Sequence, residues 1–139
     1  MVLGSIGYGG VGEIRRLSSR LRKRGFNVLD QIKARGMDYS NVNDFRRRRR
    51  LSRRIVQHDL AFLNRADVIV ALANRPSYGT AIEMFLANKA RKPVILFSRK
   101  RLPTPWPINF SDFVVGSEDA LIKVLREIRE KRGEAIGRL

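Results

Sequence analysis

The chain has 139 residues, 43% of them hydrophobic, which suits one domain with an ordinary core and leaves little room for two. It has no cysteine and one histidine, and no stretch near the roughly 20 apolar residues of a membrane span; disulfide scaffolds, thiol nucleophiles, ordinary zinc sites and transmembrane helices are therefore excluded. Lys and Arg number 29 against 13 Asp and Glu, and the resulting +16 favours polyanionic or phosphorylated partners.

The opening residues MVLGSIGYGG lack a basic region ahead of an apolar run, so no signal peptide is read and a cytoplasmic, soluble chain is expected. Val2 to Ile6 reads as a first strand ending in a glycine-rich turn, Gly7 to Gly12. Glu13 to Arg24 has helical spacing at Ile14, Leu17 and Leu21, and Gly25 closes that helix. Phe26 to Leu29 reads as a second strand, followed by a polar, irregular stretch from Asp30 to Asn43.

A long helix is expected from about Asp44 to Arg65. Within it Arg46, Arg47, Arg48, Arg49 and Arg50 run consecutively, with Arg53 and Arg54 one turn on. Five successive arginines wrap round a helix and cannot all line one groove, and a solvated helix face is the plain alternative. Val68 to Leu72 is a continuous apolar strand of the kind buried on both faces. After the loop Asn74 to Gly79, Thr80 opens a helix to about Arg91. The strand Val94 to Phe97, a proline-rich loop and the strand Phe113 to Val115 follow. The last helix carries Leu121, Val124, Leu125 and Ile128 on one stripe.

Strands alternating with helices at this spacing predict an α/β fold, a doubly wound five-stranded parallel sheet of flavodoxin or Rossmann-like type, with residues 1–139 as a single domain. Ligands in such folds sit beyond the carboxyl ends of the strands, on the loops after Leu3, Leu29, Leu72 and Phe97.

Three features there carry chemistry. The first loop contains a Gly-x-Gly-x-x-Gly match at Gly7, Gly9 and Gly12, suited to a phosphate approached by backbone amides, or simply to a tight strand-to-helix turn. No GK[ST] follows it, so it is not a Walker loop. Glu83 lies among Ala81, Ile82, Phe85 and Leu86, one turn into its helix. It is placed for nucleophilic or acid–base work, or for a Thr80-x-x-Glu83 capping box. Asp59 falls within the buried stripe of Ile55, Phe62 and Leu63, where a charge is seldom found unless paired or functional. His58, one residue round the helix, is expected to face solvent. Two carboxylates from different helices at one end of a sheet suit displacement at a sugar carbon, whose oxocarbenium-like transition state needs nearby negative charge.

The segments Ala66-Asp67-Val68-Ile69-Val70-Ala71, Pro76-Ser77-Tyr78-Gly79-Thr80-Ala81-Ile82-Glu83 and Lys92-Pro93-Val94-Ile95 resemble the nucleoside 2-deoxyribosyltransferase family. With Gly4-Ser5-Ile6 and Gln57-His58-Asp59-Leu60 in order, the chain looks closest to its hydrolase branch, the 2'-deoxynucleoside 5'-monophosphate N-glycosidases. That resemblance implies a catalytic pair: Glu83 as the nucleophile forming a covalent deoxyribosyl ester, and Asp59 as the group that protonates or orients the departing base. It implies substrate binding by Gly4, Ser5, Ile6, Gly7, Tyr8, Ser77 and Gly79. The position of Ser77 holds an aspartate in the family's transferases; a hydroxyl there donates to a phosphate that a carboxylate would repel. Ser111 resembles a serine contributed by a neighbouring subunit, which implies a homodimer. No cofactor or metal is implied, and the partner is a small-molecule nucleotide.

Two departures stand out. Gly7-Tyr8 replaces an arginine that usually follows Gly-Ser-Ile, and Met1 opens the chain where the branch has a tyrosine on its first strand. Tyr8 is the expected substitute for that phenol, and the arginines at 46 to 54 for the missing charge. Base exchange between deoxynucleosides is the nearest alternative activity. A non-catalytic nucleotide sensor or nucleic-acid binder is the alternative of another class, and the chain shows no RRM, KH or zinc-finger pattern to favour it.

Overall fold

The computed structural model describes residues 1–137. Its sheet has four parallel strands in the order β1-β2-β3-β4: β1 (Val2–Leu3), β2 (Ile69–Leu72), β3 (Val94–Phe97) and β4 (Phe113–Val115). The registers Val2 with Val70, Ile69 with Val94, and Ile95 with Phe113 bring the carboxyl ends of all four to one side. Five helices connect and cover them: α1 (Val11–Lys23), α2 (Arg49–Arg65), α3 (Tyr78–Lys89), the short α4 (Trp106–Asn109) and α5 (Glu118–Gly137).

The strands β2 and β3 are buried throughout, and their alternate residues feed two separate cores. Val70, Leu72, Ile95 and Phe97 pack with Ile14, Leu17 and Leu21 of α1 and Leu121, Ile122, Leu125 and Ile128 of α5. Ile69, Ala71, Val94 and Leu96 pack on the other face with Leu63 of α2 and Met84 and Ala87 of α3. Helices on both faces explain why the strands read as unbroken apolar runs. No helix of the described residues is long and apolar enough to cross a membrane.

The expected fifth strand, Phe26 to Leu29, is not a strand. Val28 is buried beside β1, but side chains occupy the hydrogen bonds a ladder would need. Arg22 Nη2 donates to Val28 O at 2.9 Å, and Gln31 Nε2 donates to Val2 O at 2.6 Å. The four remaining strands keep the order that a flavodoxin-like sheet has once its outermost strand is removed.

The long helix also begins later than expected, at Arg49 rather than Asp44. Asp44 Oδ1 accepts from Arg46 N at 3.0 Å, and Arg48 N donates to Phe45 O at 2.9 Å, so residues 44–48 form turns. The far end of α2 is fixed by Lys92. Its ammonium donates to Leu63 O, Asn64 O and Ala66 O at 2.9, 2.6 and 2.6 Å, binding the helix's last carbonyls to the start of β3. Replacing Lys92 with Met should therefore lower unfolding stability by about 2 kcal/mol, with an unchanged denaturant slope, in urea titrations.

Candidate active site

The residue that opens α3 decides where Glu83 points. Ser77 has extended backbone, and its Oγ accepts from Thr80 N at 3.2 Å, so the helix starts at Tyr78. The expected start at Thr80 is corrected, and with it the Thr80–Glu83 capping box, because Ser77 already holds the cap. Thr80 is buried with no partner for its Oγ1. Glu83, on the next turn, has an Oε2 that is enclosed and equally without a hydrogen bond. Its other oxygen, Oε1, lies 3.9 Å from where a Cβ on Gly79 would stand, and Ser77 Oγ lies 4.0 Å from the same point.

Asp59 comes to this place from α2, half-buried between the buried Ile55 and Leu63, as the apolar stripe predicts. Burial pushes the Asp59 carboxyl up to about 6, with His58 pulling the other way. Glu83 is pushed up to about 8, by burial first and then by the negative charge of Asp59. The two therefore behave as a coupled pair that holds one proton near neutral pH.

His58 does not face solvent. Its Nε2 lies 3.0 Å from Gln31 O and its ring packs 4.7 Å from Phe62, so it ties α2 to the turn beside β1.

A third titratable group joins the pair from the 30–43 loop. Burial raises the Tyr39 hydroxyl to about 12, with Asp59 and then Glu83 adding to the effect, so the phenol stays protonated beside both carboxylates. Its ring carbon Cε2 lies 3.8 Å from the β-position of Gly7. Tyr8, the expected source of a phenol, is instead 64% exposed on the outside of the first loop. Tyr39 was legible only as the single aromatic side chain between Asp30 and Asn43.

The first loop turns sharply at the end of β1. Gly10 N donates to Ser5 O at 2.6 Å, and a Cβ on Gly10 would stand 2.5 Å from that oxygen, so only glycine fits. Gly4 is needed for packing, since a Cβ there would meet Ile14 Cγ1 at 2.9 Å. Ser5 is buried and its Oγ has no partner; among the described residues the amides of Ile6, Gly7 and Tyr8 have no acceptor either. Arg75, from the loop after β2, reaches over this turn, its Nη1 3.5 Å from Tyr8 O. The cations beside the glycine loop are thus Arg75, which reaches Gly9, and Arg16, whose Nη1 lies 3.1 Å from the β-position of Gly12; the arginines of 46–54 are all exposed.

Ser5, Ser77 and Glu83 are brought to one end of the sheet. Ser111 is not: it precedes β4 at the amino ends of the strands, where Asp112 N donates to Val94 O, and its Oγ donates to Ile108 O at 3.0 Å. No group of three or more His, Asp or Glu side chains among the described residues is placed to hold a metal ion.

A raised carboxylate value has a consequence for stability. The folded chain holds the Glu83 proton more tightly than the unfolded chain, so between about pH 4.5 and 8 rising pH removes stability. Glu83→Gln should raise the melting temperature by several degrees at pH 8 and lose that advantage near pH 4, as thermal melts at the two pH values will show.

Comparison with known proteins adds a family. The model of the nucleoside 2-deoxyribosyltransferase family matches residues 12–128. No curated protein matches the chain.

Proposed function

Since the chain belongs to the nucleoside 2-deoxyribosyltransferase family, whose enzymes act on N-glycosidic bonds, we propose that it hydrolyses that bond in 2'-deoxynucleoside 5'-monophosphates, releasing free base and deoxyribose 5-phosphate. The observation that carries the reading is the enclosed, unpartnered carboxylate of Glu83 beside Asp59. A buried oxygen without a hydrogen bond is costly unless a ligand answers it.

In the reaction we infer, a Glu83 oxygen attacks C1' as the C1'–N bond breaks, and the electron pair of that bond leaves with the base. Asp59 gives its proton to the base nitrogen. Water then attacks C1' and gives a proton back to Asp59, while the ester bond to Glu83 breaks and restores its carboxylate. The pair begins and ends with one proton, which is the state its coupling favours. For attack, the proton must sit on Asp59 rather than Glu83. Positive charge developing at C1' favours that arrangement by stabilising the ionised Glu83. Tyr39 supports it further, as a hydroxyl donor in reach of the pair's field.

The preference for a nucleotide over a nucleoside rests on donors. Ser77 Oγ accepts from a backbone amide, which leaves its hydroxyl proton free for a phosphate. The free amides of Ile6, Gly7 and Tyr8, the Ser5 hydroxyl and the guanidinium of Arg75 supply the remainder of a cradle. Gly4 and Gly79 shape it without side chains.

A homodimer is part of the reading. The outer side of α3 next to Glu83 exposes Tyr78, Ile82, Phe85 and Leu86, and Trp106 and Ile108 of α4 extend this apolar face. A second copy covering it can bring its own Ser111 toward the site.

The test is incubation with each of the four deoxynucleoside monophosphates, following free base by chromatography, with and without an added acceptor base. Base release without an acceptor, lost by roughly a thousandfold or more in Glu83→Ala, is the expected result. Product only in the presence of an acceptor would establish base exchange instead, and a wild-type rate in Glu83→Ala would refute the mechanism.

A further inference from the structure

The arginine-rich stretch makes no hydrogen bond or ion pair with the residues of this pocket, and its charge is not balanced among the described residues. Arg46 folds back on Asp44, Nη2 to Oδ2 at 2.8 Å. Arg47, Arg48, Arg49, Arg50, Arg53 and Arg54 are exposed and join no ion pair among the described residues. Because α2 begins only at Arg49, the arginines before it lie in a turn and do not wind round the helix. Within the helix Arg49 stands one turn from Arg53 and Arg50 one turn from Arg54, which makes two adjoining rows of like charge.

Helix stability does not account for these rows. Like charges one turn apart oppose each other, the positive pole of the helix dipole lies at the same end, and the first turn of α2 holds no acidic residue. The start of α2 also adjoins the site. Phe45 packs edge-on against Tyr39 with centroids 5.5 Å apart, and Tyr39 packs against Gly7, whose neighbour Tyr8 exposes its ring. Along the helix the rows run from Arg54, five residues or about 8 Å from Asp59, out to Arg49, ten residues or about 15 Å away, so they lead from the site outward.

We propose that this rim binds single-stranded nucleic acid, the arginines following the phosphate backbone and Tyr8 offering a face on which a base stacks. Cations joined to an exposed aromatic ring through Phe45, Tyr39 and Gly7 suit an unpaired strand. A membrane surface is another polyanion, but Leu51, the one apolar residue among the arginines of 49–54, is partly buried, and Val56 on the following turn is a single exposed apolar side chain, too little to insert between headgroups.

The test is fluorescence anisotropy of a labelled oligodeoxythymidylate with the full chain over a range of salt. Replacing Arg49, Arg50, Arg53 and Arg54 together with Gln should lower the slope of log affinity against log salt by about 3. The same four positions as Lys should keep it. Gln at the exposed Lys23, Arg24, Lys123 and Arg126 should leave most of it, which separates the rows from the overall charge. An unchanged slope in the first variant, an equal loss in the Lys variant or in the distant variant, or binding to phosphatidylserine vesicles with none to the oligonucleotide would overturn the proposal. Glu83→Ala is expected to bind the strand as the wild type does, so this proposal and the glycosidase reading can fail separately.

Discussion

Glu83 and Asp59 are close enough, and shielded enough from water, that ionising one raises the cost of ionising the other. A carboxylate in that situation weakens the fold at neutral pH, and the surrounding structure has to hold it in place. Ser77 sets the start of α3 and so the direction of Glu83. Lys92 clamps one end of α2, and His58 ties its middle to the turn at Gln31, so Asp59 is held from both sides. In the proposed reaction, a carboxylate held at that cost is stabilised by the positive charge that develops beside it.

The same end of the sheet leaves oxygen and nitrogen atoms without partners on several elements at once. Ser5 follows β1, Thr80 and Glu83 belong to α3, and the free amides belong to the first loop. Their convergence fits a ligand with a sugar at its centre and an anion at one end. In the reading proposed here, Glu83 and Asp59 meet the sugar and the base, and the loop with Arg75 meets the phosphate. Taken together, the two proposals assign the chain's positive charge to Arg75 over the pocket and to the arginine rows at its rim.

How much of this the sequence carries depends on whether a feature is local. The strands Val94–Phe97 and Phe113–Val115 are readable to the residue, because unbroken apolar runs between turn signals have few alternatives. Glu83 and Asp59 are readable because a charge inside an apolar stripe is anomalous on its own element. The fifth strand fails because Phe26 to Leu29 has strand composition, yet Arg22 and Gln31, side chains from outside it, occupy the hydrogen bonds that pairing needs. The start of α2 fails because the Asp44 side chain competes for backbone amides that a helix would otherwise use. Tyr39 and Arg75 lie on loops, and nothing in their neighbours' periodicity says which way those loops fold. The segment resemblance identifies the family that residues 12–128 match, while Tyr39 stands where Tyr8 was expected.

The proposed reaction requires one proton shared between two carboxylates, and the pH dependence of kcat/KM for base release from a deoxynucleoside monophosphate addresses that requirement directly. The coupled pair predicts a bell with limbs near pH 6 and 8, because losing the shared proton removes the acid and gaining a second one removes the nucleophile. Asp59→Asn should erase the alkaline limb, since no proton donor then remains to be titrated. A rate that is flat from pH 5 to pH 9, or one that keeps both limbs in Asp59→Asn, would contradict the shared proton and with it the roles given to Glu83 and Asp59.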